Sequence, residues 1–200
     1  RVLQDQNMIR SDHDINAYVA ELDRVRQNEE GGAEWLKGIR SEASDQFRQV
    51  GFPTLKHEPW RYTNVAPIAR GNFRRAKPTE VTVKPRQLEP FGFGDIEAAR
   101  LVFVNGYFAP ELSDVSALPD GVHAVTLAET TRKDGKQLES LLGIQSRHLD
   151  SGFTAMNTAL WADGAWVHIP AGTALDRPIH IMHVAVANGS SLAAYPRTLL

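Results

Sequence analysis

The chain has 200 residues, of which 42% are apolar and 23% charged, a composition typical of a folded globular protein. Its net charge of -2 gives no general attraction to nucleic acid or to an anionic membrane, so neither is an expected partner. No apolar run approaches the ~18 residues of a membrane-spanning helix, and residues 1–12 have no signal-peptide core. The expected location is therefore the cytoplasm.

The chain contains no cysteine. This absence excludes disulfides, thiol nucleophiles, cysteine-based zinc sites and thiolate-held iron–sulfur clusters within these 200 residues. We therefore expect this segment to bind no such cofactor by itself.

Two amphipathic helices are predicted near the start of the chain. The first begins near Asp14 and ends at Gly31 and Gly32, and the second runs over residues 33–50, where Gly51 stops it. Apolar residues recur at helical spacing in both, which predicts that the helices pack as an antiparallel pair. The same stripes could instead dock on a partner, but apolar stripes of this width are usually core, and we interpret them so.

Residues 52–73 interrupt the helical period and are dense in aromatic residues and proline. His57 and Glu58 could be imagined as an acid–base pair, but adjacent residues point apart in helices and strands, and no third orienting group is evident. We interpret the segment as a structural clasp whose aromatic rings pack on the helical pair, on the later sheet or on another subunit. A short helix is predicted to start at Thr63 or Asn64.

A basic cluster follows, formed by Arg70, Arg74, Arg75 and Lys77. Its few charges are typical of a solvated linker face, and a phosphate or nucleic-acid site is the less favoured interpretation. A strand is predicted at 81–83, and the glycines and prolines of 84–94 indicate a linker. This organisation predicts a helical domain over residues 1–94 and a second domain over residues 95–200.

The second domain opens with a predicted β-hairpin over residues 101–108. Asn105 and Gly106 lie between β-forming residues, the pattern of a type I′ turn. A further strand is predicted over 122–127, followed by a helix over 137–142 that Gly143 stops. These elements could form a small sheet that caps the core described next.

Residues 153–184 combine a short helix, a turn at 162–164 and two strands, over 165–169 and 179–184. The ten-residue connection between the strands is long for a tight hairpin and short for a helical crossover, which leaves a solenoid rung or a wide hairpin in a barrel. A rung cannot bury its own face, so a second is expected to begin at residues 192–200. We accordingly expect the chain to be part of a longer protein.

Three histidines, His168, His180 and His183, lie in the two predicted strands. His180 and His183 are three residues apart, so in a regular strand they face opposite sides and cannot share one metal ion. No glutamate nearby completes a metal site of the barrel type. We therefore interpret all three as hydrogen-bonded sheet histidines and predict no metal site and no catalytic residue.

Three ordered motifs resemble one protein family. The sequence GFP at 51–53 is followed by a run that resembles a segment near the start of SufD proteins: His57, Glu58, Pro59, Trp60, Arg61, Tyr62 and Thr63. The sequence LVFVNGYFAPEL, which contains Asn105 and Gly106, is similar to that family's hairpin. Residues 153–181 resemble the entry of SufD proteins into a parallel β-helix.

This resemblance implies an α+β fold: a small helical N-terminal domain, a small sheet and the first rungs of a right-handed parallel β-helix. It also implies a non-catalytic scaffold subunit of a SufBCD-type iron–sulfur assembly complex, in which the assembled complex handles the cluster transiently. The implied partners are a SufB-like paralogue and a SufC-like ABC ATPase, with a homodimer as another pairing. The quoted motif residues are expected to be structural.

The competing hypothesis is a cupin-like metal-dependent enzyme or a sugar-binding barrel protein. In that case His168 would hold a metal together with His180 or His183. The resemblance to cupins is much weaker, because the paired His-x-His and the later glutamate are absent.

Overall fold

A computed structural model describes residues 14–28, 33–78, 82–93, 96–116, 118–133, 135–145, 151–187 and 189–200. The chain divides into two compact units: unit 1 comprises residues 1–74 and 136–160, and unit 2 comprises residues 75–135 and 161–200. The predicted domains 1–94 and 95–200 do not coincide with these units, because residues 136–160 return to the first. The two units are defined by contacts within the folded chain, whereas the predicted domains are segments that fold independently. The domain boundaries therefore stay a prediction.

Both helices and strands are present in the described residues. The α-helices are α1 (Asn16–Gln27), α2 (Glu34–Val50), α3 (Ala66–Arg70), α4 (Leu127–Lys133), α5 (Gly135–Gln145) and α6 (Gly152–Leu160). The strands are β1 (Arg74–Arg75), β2 (Ala99–Val104), β3 (Tyr107–Phe108), β4 (His123–Thr126), β5 (Ala165–His168), β6 (Ile179–Val184), β7 (Leu192–Ala193) and β8 (Thr198–Leu199). The α+β class is confirmed. None of the helices seen here has the length and apolar character needed to cross a membrane.

An aromatic cluster forms the core of unit 1. Tyr18 of α1, Phe47 of α2 and Phe52 are almost completely buried, and the Phe52 ring meets the other two edge-on at centroid distances of 4.8 and 5.2 Å. The Tyr18 hydroxyl donates a hydrogen bond to the carbonyl of Ile68, and burial raises the pKa of this phenol. The prediction that the helical stripes are core is thus confirmed. Gly31 and Gly32, the predicted end of the first helix, lie outside the described residues.

Helix α6 packs closely against α2 in unit 1. A Cβ atom at Gly152 would lie 1.8 Å from the carbonyl oxygen of Gly51, so only glycine fits at the start of α6. Gly51 itself has a φ of 61°, in the region that glycine adopts most readily. Glycine at the end of α2 and at the start of α6 therefore allows the two helices to pack this closely.

Unit 2 contains two three-stranded sheets, with strand orders β3-β2-β6 and β4-β5-β8. β2 pairs antiparallel with β3 and parallel with β6, while β5 pairs antiparallel with β4 and parallel with β8. Each sheet is therefore mixed. The described residues do not show the successive parallel rungs that define a β-helix.

The central strand β2 is buried on both faces. Leu101 and Phe103 pack with Ala165 and Val167 of β5, whereas Val102 packs with a second cluster that includes Met182 of β6. Burial on both faces accounts for the uninterrupted apolar run in this strand. The predicted hairpin is confirmed.

Several local predictions are wrong. Thr82 and Val83, two residues of the predicted strand at 81–83, belong to no strand, and Val81 lies outside the described residues. Gly143 does not stop α5, which continues to Gln145, because an interior glycine costs a helix only about 1 kcal/mol relative to alanine. The strand predicted over 165–169 ends at His168, and Ile169 is exposed.

Helix α4 was not predicted from the sequence. Thr126 caps it: its hydroxyl oxygen accepts the backbone N–H of Glu129 at 3.1 Å. The run Thr126, Leu127, Ala128, Glu129 has the spacing of a capping box, a signal that identifies the start of a helix.

Candidate functional site

Consecutive tight turns hold the motif residues 57–63 of unit 1. The backbone N–H of Trp60 donates to the carbonyl of His57 at 2.8 Å, and that of Thr63 donates to the carbonyl of Trp60 at 2.9 Å. The Nδ1 atom of His57 accepts the backbone N–H of Thr54 at 2.9 Å. These bonds fix the direction in which each side chain leaves the backbone. His57 makes these contacts within its own turn and not with Glu58.

Trp60 anchors the segment to unit 1. Its ring lies 5.2 Å from the ring of Phe153 in α6, and Phe153 in turn lies 5.4 Å from the buried Phe52. The indole therefore extends the aromatic core outward. This contact agrees with the predicted clasp, whose role stays a prediction.

Arg61 and Tyr62, in contrast, point into solvent. Tyr62 is 90% exposed, and the side chain of Arg61 is 60% exposed. The guanidinium carbon of Arg61 lies 5.6 Å from the centroid of the Tyr62 ring, and its Nη1 lies 4.0 Å from a carboxylate oxygen of the exposed Glu58. Such exposed pairs contribute little to stability. The side chains of Arg61 and Tyr62 are therefore accessible to a partner.

The hairpin residue Asn105 has a structural role that extends beyond its turn. Asn105 has a φ of 50° and Gly106 a φ of 85°, as a type I′ turn requires. The buried Asn105 side chain also accepts the N–H of Val186 at 2.8 Å and donates to the carbonyl of Val186 at 2.9 Å. The turn is thereby fixed to the residues that follow β6, which the sequence pattern did not indicate.

Asp163 is a buried carboxylate for which the sequence predicted only a turn. Its Oδ1 accepts the backbone N–H of Ala128 at 2.9 Å and that of Gly164 at 2.8 Å, and so joins the start of α4 to the start of β5. Burial raises the pKa of this carboxyl, against the opposing effect of its N–H donors. A Cβ atom at Gly164 would lie 2.1 Å from the carbonyl oxygen of Arg197, so glycine is required there.

The strand histidines of unit 2 occupy separate environments. His168 lies opposite His123 in the β4–β5 pair, with the ring centroids 6.4 Å apart, whereas His180 and His183 lie in the other sheet. His180 contacts Phe93, and His183 stacks on Phe103, with Nε2 3.1 Å from the hydroxyl of a threonine. Burial lowers the pKa of both His180 and His183.

The described residues do not show the metal set of the cupin-like hypothesis: the ring near His168 is that of His123, whereas the rings near His180 and His183 are those of Phe93 and Phe103. Among the described residues, no three side chains of the histidine, cysteine, aspartate or glutamate type are grouped so that they could hold a metal ion. The pairing of His168 with His123 was not predicted, since it depends on the register of two strands far apart in sequence.

Comparison with known proteins identifies the family of the sequence. The family profile for the SufBD protein N-terminal region matches residues 15–181. The chain belongs to the SufBD family. It is 30% identical over 165 residues to an iron–sulfur cluster assembly SufBD family protein of Synechocystis sp.. This match covers 82% of this chain and 36% of that protein. It is 32% identical over 71 residues to the iron–sulfur cluster assembly protein SufD of Escherichia coli, or 36% of this chain and 16% of SufD.

The chain thus spans well under two thirds of either relative. The motif residues of unit 1 and the hairpin of unit 2 both lie inside the region that the SufBD profile matches. Both therefore belong to the SufBD N-terminal region of this chain, while the activity and partners of a whole SufBD protein are treated below as proposals.

Proposed function

We propose that this chain acts as a non-catalytic scaffold in iron–sulfur cluster assembly, as part of a SufBCD-type complex. The observation that carries this proposal is the match to the SufBD N-terminal region over residues 15–181. Relatives over this region carry names that refer to iron–sulfur cluster assembly. The lack of cysteine is consistent with a segment that positions partners and does not itself ligate a cluster through thiolates.

The proposed partners are a SufB-like paralogue and a SufC-like ABC ATPase in the cytoplasm, and a homodimer is an alternative to the paralogue pair. The cluster would be handled transiently by the assembled complex, with ATP hydrolysed in the ATPase subunit. Neither nucleic acid nor a membrane is a proposed partner, because the net charge of -2 provides no general attraction to either.

We also propose that unit 2 leads into a right-handed parallel β-helix. The parallel pairs β2–β6 and β5–β8 support this proposal, because a solenoid stacks strands of successive rungs in parallel. Among the described residues β6 is an edge strand of its sheet, and this edge would then pair with a strand of the next rung.

The test is purification of the native protein from its host without oxygen, followed by identification of the proteins that accompany it. We expect an ABC-type ATPase together with a cysteine-containing paralogue, in fixed ratio to this protein. A protein that elutes alone with stoichiometric transition metal would contradict the scaffold function and favour the cupin-like hypothesis. Loss of that metal on the change His168→Ala would then locate the site.

A further inference from the structure

Two exposed histidines face each other across the β4–β5 strand pair of unit 2. His123 and His168 are register partners in this antiparallel pair, and both side chains are exposed. Directly opposite residues of an antiparallel pair project from the same face of the sheet. The two rings accordingly lie nearly parallel, with their centroids 6.4 Å apart and an interplanar angle of 21°. We call these two residues the histidine pair.

The core of unit 2 holds the backbone that carries the histidine pair. The next register partners, Ala124 and Val167, are buried and point to the opposite face of the sheet. They pack in one apolar cluster with Leu101 and Phe103 of β2. The backbone positions of the two histidines are therefore set by a packed sheet, and mainly their exposed rings are left to move.

The ring nitrogens of the histidine pair are accessible to a ligand. Among the described residues, none forms a hydrogen bond with a ring nitrogen of His123 or His168. In contrast, Nδ1 of His57 accepts the backbone N–H of Thr54, and Nε2 of His183 lies 3.1 Å from a threonine hydroxyl. An exposed imidazole in its neutral form offers one nitrogen lone pair, which is the donor that transition metals bind.

The spacing of the histidine pair suits a single metal ion. A zinc ion lies about 2.0–2.1 Å from each histidine nitrogen, so two nitrogens on one ion are at most about 4.2 Å apart. The β-carbons of directly opposite residues are only about 4.5–5.5 Å apart, closer than the ring centroids. Rotation about the side-chain torsions can therefore turn the two rings towards each other and bring one nitrogen of each within this limit.

The ligand type indicates the class of metal. Imidazole suits zinc, copper and nickel, whereas magnesium and calcium prefer oxygen ligands. The histidine pair supplies two ligands, fewer than the three or four protein ligands of catalytic and structural zinc sites. We therefore expect the ion to keep water in its other positions and to exchange with ions in solution.

We propose that His123 and His168 bind one divalent transition metal ion, such as Zn²⁺, on the exposed face of β4 and β5. Each imidazole donates one ring nitrogen to the ion. This proposal goes beyond the scaffold function, because it gives the chain a metal site that uses no thiolate. The expectation that no metal binds was drawn from His168, His180 and His183, without His123.

The experiment measures Zn²⁺ binding by the full-length protein after a chelator has removed its metals. Equilibrium dialysis compares the wild type with His123→Gln, with His168→Gln and with the double variant. We expect the wild type to bind one more Zn²⁺ than the double variant, and either single change to weaken the binding of that ion at least about tenfold. Because a chelated ion needs both rings, the double variant should lose little more than either single variant. Excess Mg²⁺ should not displace the ion.

Two further variants separate a metal ligand from a structural residue. His168→Cys should retain the ion, because a thiolate is also a zinc ligand. His183→Gln, in the other sheet of unit 2, is the matched histidine control and should leave the Zn²⁺ affinity unchanged. Because His123 and His168 are exposed, their metal-free variants should unfold at the wild-type temperature, which excludes misfolding as a cause.

The proposal is overturned if the wild type and the double variant bind equal numbers of Zn²⁺ ions with equal affinity, or if the two single effects simply add. It is also overturned if His168→Cys abolishes binding. A loss with His183→Gln as large as that with His168→Gln, while His123→Gln binds normally, would overturn it in favour of the cupin-like pair. Co-purification with the ATPase and the paralogue tests the scaffold function separately, because that result is read from the accompanying proteins and does not depend on His123.

Discussion

Asp163 shows how one side chain makes the stability of unit 2 depend on pH. The carboxyl is buried with a raised pKa, while in the unfolded chain it titrates near 3.8. Its contribution to stability is therefore fully present below pH 3.8, where both states are protonated, and is lost as the pH rises through the folded-state pKa. Above that pH the folded protein holds a charge that burial disfavours.

We predict that Asp163→Asn gains stability relative to the wild type as the pH rises from about 4 towards neutrality. The amide keeps an oxygen for the N–H groups of Ala128 and Gly164 but cannot ionise. Urea unfolding of both proteins across this pH range measures the difference. Parallel stability curves would contradict the raised pKa. Asp163→Ala is the control for the lost acceptor: it cannot ionise either, so its stability should follow that of Asp163→Asn with pH and lie about 1–3 kcal/mol below it at every pH.

At this scale the sequence identified residue types but not their environments. Trp60 and Tyr62 stand two positions apart in one aromatic segment that was expected to pack as a whole. Only Trp60 is packed. The ring that it contacts, Phe153, belongs to a helix much later in the chain, so the sequence around Trp60 does not reveal the contact. Tyr62 remains in solvent. Burial of one ring and exposure of its neighbour depend on tertiary structure, which no local pattern contains.

At the scale of the elements, the sequence correctly predicted those features that depend only on neighbouring residues. The type I′ turn at Asn105 and Gly106 was correct because positive φ angles favour these residue types whatever surrounds them. The end of α5 was wrong because Gly143 only weakens a helix, and packing decides whether the helix continues. The sheet pairings β2–β6 and β5–β8 were not predicted, since they join strands separated by other elements.

We predict that Asn105→Ala destabilises unit 2 by about 1–3 kcal/mol more than Asn72→Ala destabilises unit 1. Both asparagines have positive φ angles, 50° and 48°, so both changes carry a similar backbone cost. Only Asn105 is buried and bonded to Val186 through both side-chain atoms, whereas Asn72 is exposed. Chemical denaturation of the two variants measures the difference. Equal destabilisation would show that the bonds to Val186 contribute nothing beyond the turn.

At the scale of the whole molecule, the helical unit depends on distant sequence. Residues 136–160 belong to unit 1 together with residues 1–74, and α6 packs along α2 within it. The sequence placed a domain boundary in the linker at 84–94 because glycine and proline accumulate there. Composition identifies linkers, but it does not show that a later helix returns to complete an earlier core.

This arrangement leads to a prediction about a fragment of residues 1–94. The fragment lacks Phe153, which covers Phe52 and Trp60, and it lacks the buried Leu138 and Leu142 of α5. Without these side chains the aromatic core faces water, so we expect the fragment to lack a cooperative unfolding transition. Thermal unfolding followed by circular dichroism measures this.

The matched comparison is a fragment of residues 1–160, which restores α5 and α6 to unit 1. We expect it to recover a cooperative helical transition, and the further change Phe153→Ala to weaken that transition, since the ring joins Trp60 to the core. If the fragment 1–94 unfolds cooperatively on its own, the domain boundary at residue 94 is correct. The return of α6 would then be a docking contact between finished domains and not part of one core.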